Sequence, residues 1–365
     1  MIHALKIVAV SMMKNEEFFS ESSIRYWLTF CDAVILYDHH STDGTSQILT
    51  ALADELNGRL ILYQCPEDPG MRFEQVKITE AMIHLAIERY GADFVMPLDA
   101  DEYPYLSGDA ARHSLRDYLL GLSLEQCYSA YWMPFASPHN DQLDYTRFAP
   151  LSFTRKKKQA MIQWPKVIIS ARVYRENGLS VIMGNHGLCC PSTGDMYRAI
   201  TLSPELYYAH YMYRGSDHLK AKVTAGWLAC RTMEGWQPGM SDHYRRACNI
   251  ICKNTLITRN LVDWFALSCS GMTGESMQDI RESIEEVDPE RFFPQIQLKY
   301  TMRYAIHKDA FVLLTEQAIA FSEQYEQKQQ EVRSLGAEID TFRRIMPELF
   351  SIHDIEGENK EGSEK

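Results

Sequence analysis

Phe94-Val-Met-Pro-Leu-Asp-Ala-Asp-Glu-Tyr103 is the stretch on which the reading of this chain turns. An apolar run stops at two aspartates one residue apart, with a glutamate directly behind them. Side chains of a strand alternate faces, so Asp99 and Asp101 at i and i+2 are expected to point the same way where the strand frays. Two carboxylates converging at a strand's C-terminal end suit a divalent cation that also holds a diphosphate. A solvated acidic turn is the plainer alternative. The segments on either side favour the first.

Upstream, short β-branched runs alternate with helical periods. Ile7–Val10, Ala33–Tyr37, Arg59–Tyr63 and Asp93–Leu98 read as strands; Phe19–Phe30, Ser46–Leu56 and Gln75–Arg89 read as helices. Strand and helix in alternation with short connections imply right-handed crossovers and a mostly parallel sheet. Ligands of such sheets sit beyond the carboxyl ends of the strands. Three polar clusters fall at those ends: Lys14-Asn15-Glu16, Asp38 to Asp43, and Asp99 to Glu102.

Downstream the pattern turns more β-like, with runs at Tyr128–Pro134, Leu151–Thr154, Val167–Val173 and Tyr207–Met212. Arg155-Lys-Lys-Lys158 reads as a solvated or mobile loop, with an anion site in a flexible lid as the alternative. Helical periods return over His218–Ala229 and Asp242–Leu256. From Phe311 to Leu349 apolar residues step by threes and fours, which suits a coiled coil or a long helical hairpin. A homodimer seam and a helix folded back on its own domain are equally compatible with it. Acidic Glu356–Lys365 reads as a disordered tail.

Bulk properties narrow the class. The chain has 365 residues, 45% hydrophobic and 24% charged, the balance of a soluble globular enzyme. A net charge of −12, from 37 basic and 49 acidic residues, argues against a nucleic-acid partner. No apolar span approaches the roughly 20 residues of a membrane helix. Lys6–Met12 reads as a first strand and leaves too little before it for a secretory leader. Nine cysteines without a Cys-x-x-Cys pair suggest reduced thiols and a cytoplasmic setting, with peripheral contact at the inner membrane face as a further option.

With these clusters in place the chain resembles a family 2-type glycosyltransferase of the GT-A fold. Val10-Ser-Met-Met-Lys-Asn-Glu-Glu17 is similar to that family's first-strand signature in its Lys-Asn-Glu variant. Asp38-His-His-Ser-Thr-Asp-Gly-Thr45 resembles its Asp-Asp-Gly-Ser-Thr-Asp-Gly-Thr element, with His39 and His40 standing where the family has Asp and Gly. Asp99-Ala-Asp101 matches its Asp-x-Asp. The likeness spans residues 5 to 105 and weakens toward 230.

The resemblance implies an α/β GT-A fold, a Rossmann-like mixed sheet with a helical C-terminal extension. Together with the spacing pattern and the acidic composition further on, it divides the chain into a transferase domain (1–230), a helical region that can dimerise (231–350) and an acidic tail (351–365). It implies metal-dependent, inverting transfer of a sugar from a nucleoside-diphosphate donor, UDP-sugars favoured, to a glycan, lipid-linked or small-molecule acceptor. Lys14, Asn15, Glu16 and Asp38 would meet the nucleotide, with Asp99 near the ribose. Asp101 would ligate Mn²⁺ or Mg²⁺, joined by His210 and His186 from a bacterial branch that carries similar histidines. Lys166, Arg214 and Lys220 could face phosphate.

An inverting transferase also needs a general base. No clean Glu-Asp pair stands well downstream of the triplet, where the family places one, and Asp195, before an expected helix, is the first choice, followed by Asp141 and Asp217. Two rivals remain. A nucleotidyltransferase would want a Gly-rich basic loop after the first strand, and Val10–Glu17 has no glycine. A catalytically silent nucleotide- or glycan-binding scaffold of the same fold is the other.

Overall fold

The computed structural model describes residues 5–64, 74–138, 143–232, 242–253, 257–306, 330, 333 and 334. The first hundred residues build β1 (Ile7–Met13), α1 (Ser20–Trp27), β2 (Ala33–Asp38), α2 (Thr45–Leu56), β3 (Leu60–Tyr63), α3 (Gln75–Glu88) and β4 (Phe94–Pro97). Next come β5 (Glu102–Leu106), α4 (Leu115–Leu120), β6 (Cys127–Pro134), β7 (Arg155–Lys157), β8 (Met161–Ser170) and α5 (Ala171–Glu176). Then β9 (Ser180–Val181), β10 (Leu188–Cys190), β11 (Asp195–Met196) and β12 (Ile200–His210) lead into α6 (Ser216–Thr232) and α7 (Asp242–Lys253). The remaining elements are α8 (Arg259–Leu267), α9 (Met277–Ser283), β13 (Ile284–Glu286) and α10 (Thr301–Tyr304).

Eight strands form one sheet in the order β3-β2-β1-β4-β8-β6-β12-β5. β3, β2, β1 and β4 run parallel, as the strand–helix alternation requires. β8 pairs antiparallel to β4 and to β6, and β5 antiparallel to β12, so the sheet changes character at the β4–β8 seam. The expected mixed α/β sheet is thus the architecture found.

Strand alternation divides the core. Ile7, Ala9, Val34, Leu36, Phe94 and Met96 face one side with α1 and α2, while Val8, Val10, Ile35 and Val95 face the other with α3 and α5. Burial on both faces explains why these strands read as continuous apolar runs. α1 has no apolar stripe on its serine-rich first turns. Its buried Ser22 accepts the Tyr103 hydroxyl at 2.9 Å, and Trp27 Nε1 donates to the Glu102 carbonyl at 3.1 Å.

Three expectations are corrected. Leu151–Thr154 does not form a strand; Ala149–Ser152 is a 3₁₀ turn opened by Pro150. Val167–Val173 is strand only to Ser170, whose side chain then caps α5 by accepting from Val173 N. Arg155–Lys158 is not a solvated loop, because its first three residues are the buried strand β7, paired with β13. Each charge there finds a distant partner. Arg155 forks onto Asp263 at 2.8 and 2.9 Å, Lys157 meets Glu275 at 2.5 Å, Lys156 pairs with Glu285, and Lys158 donates to the Glu282 carbonyl. Basic residues that looked solvated fasten the α8–β13 region to the sheet.

The segment ending in α10 returns to the first loops. Glu21, fully buried on α1, accepts N–H bonds from Lys299, Tyr300 and Thr301 at 2.7–2.8 Å and pairs with Arg25. These are the otherwise unsatisfied donors at the start of α10. Gly44 lies so close that a Cβ there would fall 2.2 Å from the Tyr304 carbonyl oxygen.

Contacts divide the chain into Met1–Leu314 and Thr315–Lys365. Of the second unit, residues 330, 333 and 334 are helical. The heptad pattern over 311–349 and the acidic tail otherwise lie outside the described residues. No helix among the described residues is long and apolar enough to cross a membrane, and the described cysteines are free thiols.

Candidate functional site

The loops after β1 and β2 are laced together by their own polar atoms. Asn15 adopts a left-handed backbone (φ 56°), donates N–H to Ser41 Oγ at 3.0 Å and accepts Thr42 N–H at 2.7 Å. Glu16 N–H donates to Thr45 Oγ1 at 2.8 Å, and Glu17 N–H to Asp43 Oδ2 at 3.2 Å. Half-buried Lys14 opens the loop directly after β1. Asn15 therefore builds the loop, and Asp43 starts α2 by also accepting Thr45 N–H.

Asp38 ends β2 and is buried. Its Oδ1 accepts Ser41 N–H at 3.1 Å and Ser41 Oγ at 2.7 Å; its Oδ2 accepts Ser46 Oγ at 2.5 Å and Gln64 Nε2 at 2.8 Å. An Asx-type turn thus engages both oxygens. A base N–H would have to share them.

At the seam, the Asp99–Glu102 segment is a turn closed by Glu102 N–H on the Asp99 carbonyl at 3.0 Å. The two aspartates consequently reach different cations. Lys166, from β8, meets Asp99 at 2.9 Å, Glu102 at 2.6 Å and the Gly184 carbonyl at 2.7 Å. Lys222, from α6, meets Asp101 at 2.6 Å and approaches Glu16 at 3.8 Å. Arg214 meets Glu16 at 3.2 Å and lies over the Phe19 ring at 5.4 Å. Four carboxylates from the β1 and β4 ends thus face three cations from the later half.

Proton affinities follow from this crowding. Burial alone would lower the ammoniums of Lys166 and Lys222, but Asp99 with Glu102, and Asp101 with Glu16, outweigh it and raise both. Glu102 is pushed up to about 8: burial dominates, Lys166 opposes it, and Asp99 and Asp101 add to it. One ammonium serves two carboxylates, so Glu102, the fully buried one, is the one that keeps a proton. Glu16 is raised as well, by burial first.

Two histidines line the same place. The register of β12 sets His210 opposite Glu102 and Pro134, and its ring stacks on Trp132 at 4.0 Å. His210 Nε2 stands 3.7 Å from Asp101 Oδ2, while its buried Nδ1 has no hydrogen-bond partner among the described residues. His186 meets Trp132 edge-on at 5.5 Å and turns Nδ1 to the Pro165 carbonyl at 3.3 Å. Burial, then Lys166, pushes His186 down to about 3; burial, then Lys222, holds His210 far below the usual histidine range. Both rings are neutral.

A resident dication needs oxygen and imidazole donors that are not already paired with cations. Asp101 gives Oδ2 to Lys222, and Asp99 gives Oδ2 to Lys166. Among the described residues, no three His, Cys, Asp or Glu side chains gather closely enough to hold a metal. A cation placed on Asp101 would meet the Lys222 ammonium. As arranged, these residues do not fit a resident Mn²⁺ or Mg²⁺.

The remaining candidates stand apart. Asp195 is exposed on β11, in a hairpin and not before a helix; it pairs with Cys190, beyond Leu188 and Cys189 as counted from His186. Asp217 is in the first turn of α6 and pairs with Lys220 at 3.0 Å. Asp141 lies outside the described residues. Lys222, the pairing of Glu102 with Lys166 and the stacking role of Trp132 are the site features that sequence reasoning missed. Lys222 sits two residues past Lys220, which drew attention as a phosphate-facing candidate, and a helical wheel through α6 could have separated them.

No family model and no curated protein matches this chain. Among solved structures, it is similar to S. aureus TarS 1–349 in complex with UDP, at 12% identity and a TM-score of 0.35, over 74% of this chain and 75% of that one. It is also similar to a putative glucose-1-phosphate thymidylyltransferase from Bacillus anthracis, at 7% identity and a TM-score of 0.29, over 70% and 98%. A third likeness is to the galactosyltransferase LgtC with donor and acceptor sugar analogs, at 8% identity and a TM-score of 0.28, over 69% and 97%.

Proposed function

We propose that this chain is a glycosyltransferase that takes a sugar from a nucleoside-diphosphate donor and passes it to a hydroxyl of a glycan, lipid-linked or small-molecule acceptor. The observation that carries the proposal is the charge cluster at the sheet's change of character. Glu16, Asp99 and Asp101 end or follow parallel strands, and Lys166, Lys222 and Arg214 face them. A diphosphate needs such cations, and a ribose diol can hydrogen-bond to such carboxylates. The place is the carboxyl-terminal end of the parallel strands, where ligands of such sheets bind.

In transfer, an acceptor hydroxyl gives its proton to a base as its oxygen attacks the anomeric carbon, the bond from that carbon to the diphosphate oxygen breaks, and the electron pair leaves with the diphosphate. Stabilising that developing charge is the largest catalytic contribution available to such a site. Lys222 and Arg214 are the groups suited to it. Neutral, buried His210 on Trp132 shapes the wall beside Asp101 and excludes water there. Inversion at the anomeric carbon remains what the family resemblance implies.

One observation favours the scaffold as a second reading. Asp38 has both oxygens engaged and Asp101 is paired, as in a fold that satisfies itself without ligand. Thermal stabilisation across UDP, GDP, CDP and their sugars, followed by hydrolysis of the matching donor, tests both. A nucleotide-dependent shift with donor turnover is expected. A shift without turnover selects the scaffold, and no shift with any nucleotide removes the transferase.

A further inference from the structure

We propose that Lys222 is the diphosphate's principal cation in this site, taking the place that a divalent metal would occupy, so that donor binding requires no metal. The proposal rests on the reading of the crevice as a nucleoside-diphosphate site. It deepens that reading by naming what holds the diphosphate.

Three observations carry it. First, the Lys222 ammonium lies 2.6 Å from Asp101 Oδ2 and 3.8 Å from Glu16 Oε1, between the carboxylates that end two neighbouring strands. That is the point at which a bridging cation would have to sit. Second, the negative charge around it is already offset, Asp99 and Glu102 by Lys166 and Glu16 by Arg214. A dication would bring two more positive charges against an ammonium held at hydrogen-bond distance. Third, Lys222 comes from α6, outside the sheet, on a long side chain about one-quarter exposed. Such a stem can swing its three donors from Asp101 to a phosphate oxygen while leaving the strand ends in place. Lys166, with its side chain almost wholly buried, is fixed by three partners and cannot.

Without ligand, Lys222 neutralises Asp101. With a diphosphate bound, the ammonium moves onto phosphate oxygen, and Asp101 turns to hydroxyl donors of the ribose. Arg214, seated over Phe18 and Phe19, gives the second positive charge from the same direction.

The test is nucleoside-diphosphate binding by the full chain, measured by calorimetry with UDP, GDP and CDP in EDTA and in excess Mn²⁺. Wild type is expected to bind its matching nucleotide equally well in both. Lys222→Met is expected to weaken diphosphate binding by roughly 10- to 100-fold, the range of a charge-assisted hydrogen bond, while leaving the matching nucleoside unaffected. Lys222→Arg should restore most of it. Electron paramagnetic resonance of free Mn²⁺ supplies a second readout: wild type with nucleotide should leave the signal undiminished, and a loss of signal would overturn the proposal. Binding that EDTA abolishes and Mn²⁺ restores in wild type would overturn the proposal, as would full-strength binding by a folded Lys222→Met. No binding of any nucleotide by wild type under either condition would instead remove the functional reading itself, and this inference with it.

Discussion

The two halves of the sheet differ in what they bring to the crevice. The parallel half, β3-β2-β1-β4, supplies carboxylates from short loops that directly follow its strands. The later, mixed half and its helices supply the cations, from the middle of β8, from the chain after β12 and from the second turn of α6. Acid comes from local motifs and base from long-range folding. A functional signature read from local motifs therefore finds one sign of charge and leaves the other out.

The strongest way to break this comparison is to remove a cation from beneath its carboxylates. Lys166→Met strands Asp99 and the fully buried Glu102 without their ammonium. Removing one member of a fully buried ion pair costs about 3–5 kcal/mol; because Glu102 keeps its proton and the Asp99 side chain is 34% exposed, urea unfolding at neutral pH should show a loss below that range. Asp99→Asn with Glu102→Gln in the same chain should recover much of it, because the penalty is the uncompensated charge. Near-additive losses would mean that the two halves do not meet here as described.

Gly44→Ala probes the seal over the acidic half. Its Cβ would land on backbone, at the Tyr304 carbonyl, and no rotamer change can make room. Overpacking of this kind costs about 1–3 kcal/mol. The variant should melt earlier and exchange the amide protons of residues 299–306 faster, as the Glu21 and Glu17 bonds to that segment loosen. Unchanged exchange there would detach the segment from the site's first loops.

What the sequence reveals of this molecule follows the same division. Ile7–Val10, Ala33–Tyr37 and Asp93–Leu98 were readable because strands buried on both faces must be apolar throughout, and their ends must be polar. The Leu151–Thr154 run misled because Pro150 opens a 3₁₀ turn there. Arg155–Lys158 misled because its partners, Asp263, Glu275 and Glu285, lie more than a hundred residues away. Lys222 was invisible for the same reason. A lysine on a helix reads as solvated surface until the helix is docked, and Asp101 is 121 positions from it.

Glu102→Gln sharpens the comparison through pH. The folded-state affinity of Glu102 for its proton is raised to about 8 from an ordinary 4.5, chiefly by burial. The folded chain therefore keeps a proton that the unfolded chain releases. That contribution is fully present below about pH 4.5 and is lost as pH rises through about 8. Wild type should fall in stability relative to Glu102→Gln across this window, by at most about 1.4 kcal/mol per pH unit. Urea midpoints of both chains at pH 5.5, 7 and 8.5 (roughly spanning the window) measure the difference directly. A constant difference would show Glu102 ionised throughout, with Lys166 satisfying both of its carboxylates.

The smallest expected effect is the most informative about what lies outside the cluster. Asp195 is exposed, on a hairpin strand paired to Cys190, and its own backbone N–H is taken by Thr193 Oγ1. Nothing there holds it against Asp99 or Asp101. Asp195→Asn should leave stability within about 0.5 kcal/mol of wild type and leave nucleotide binding untouched. If turnover also holds, the base must come from nearer the β4–β8 seam, and both halves of the reaction's acid and base chemistry lie in the crevice. If turnover alone collapses, the β9–β11 hairpin moves over the crevice when the acceptor binds, and a third region joins the two compared here.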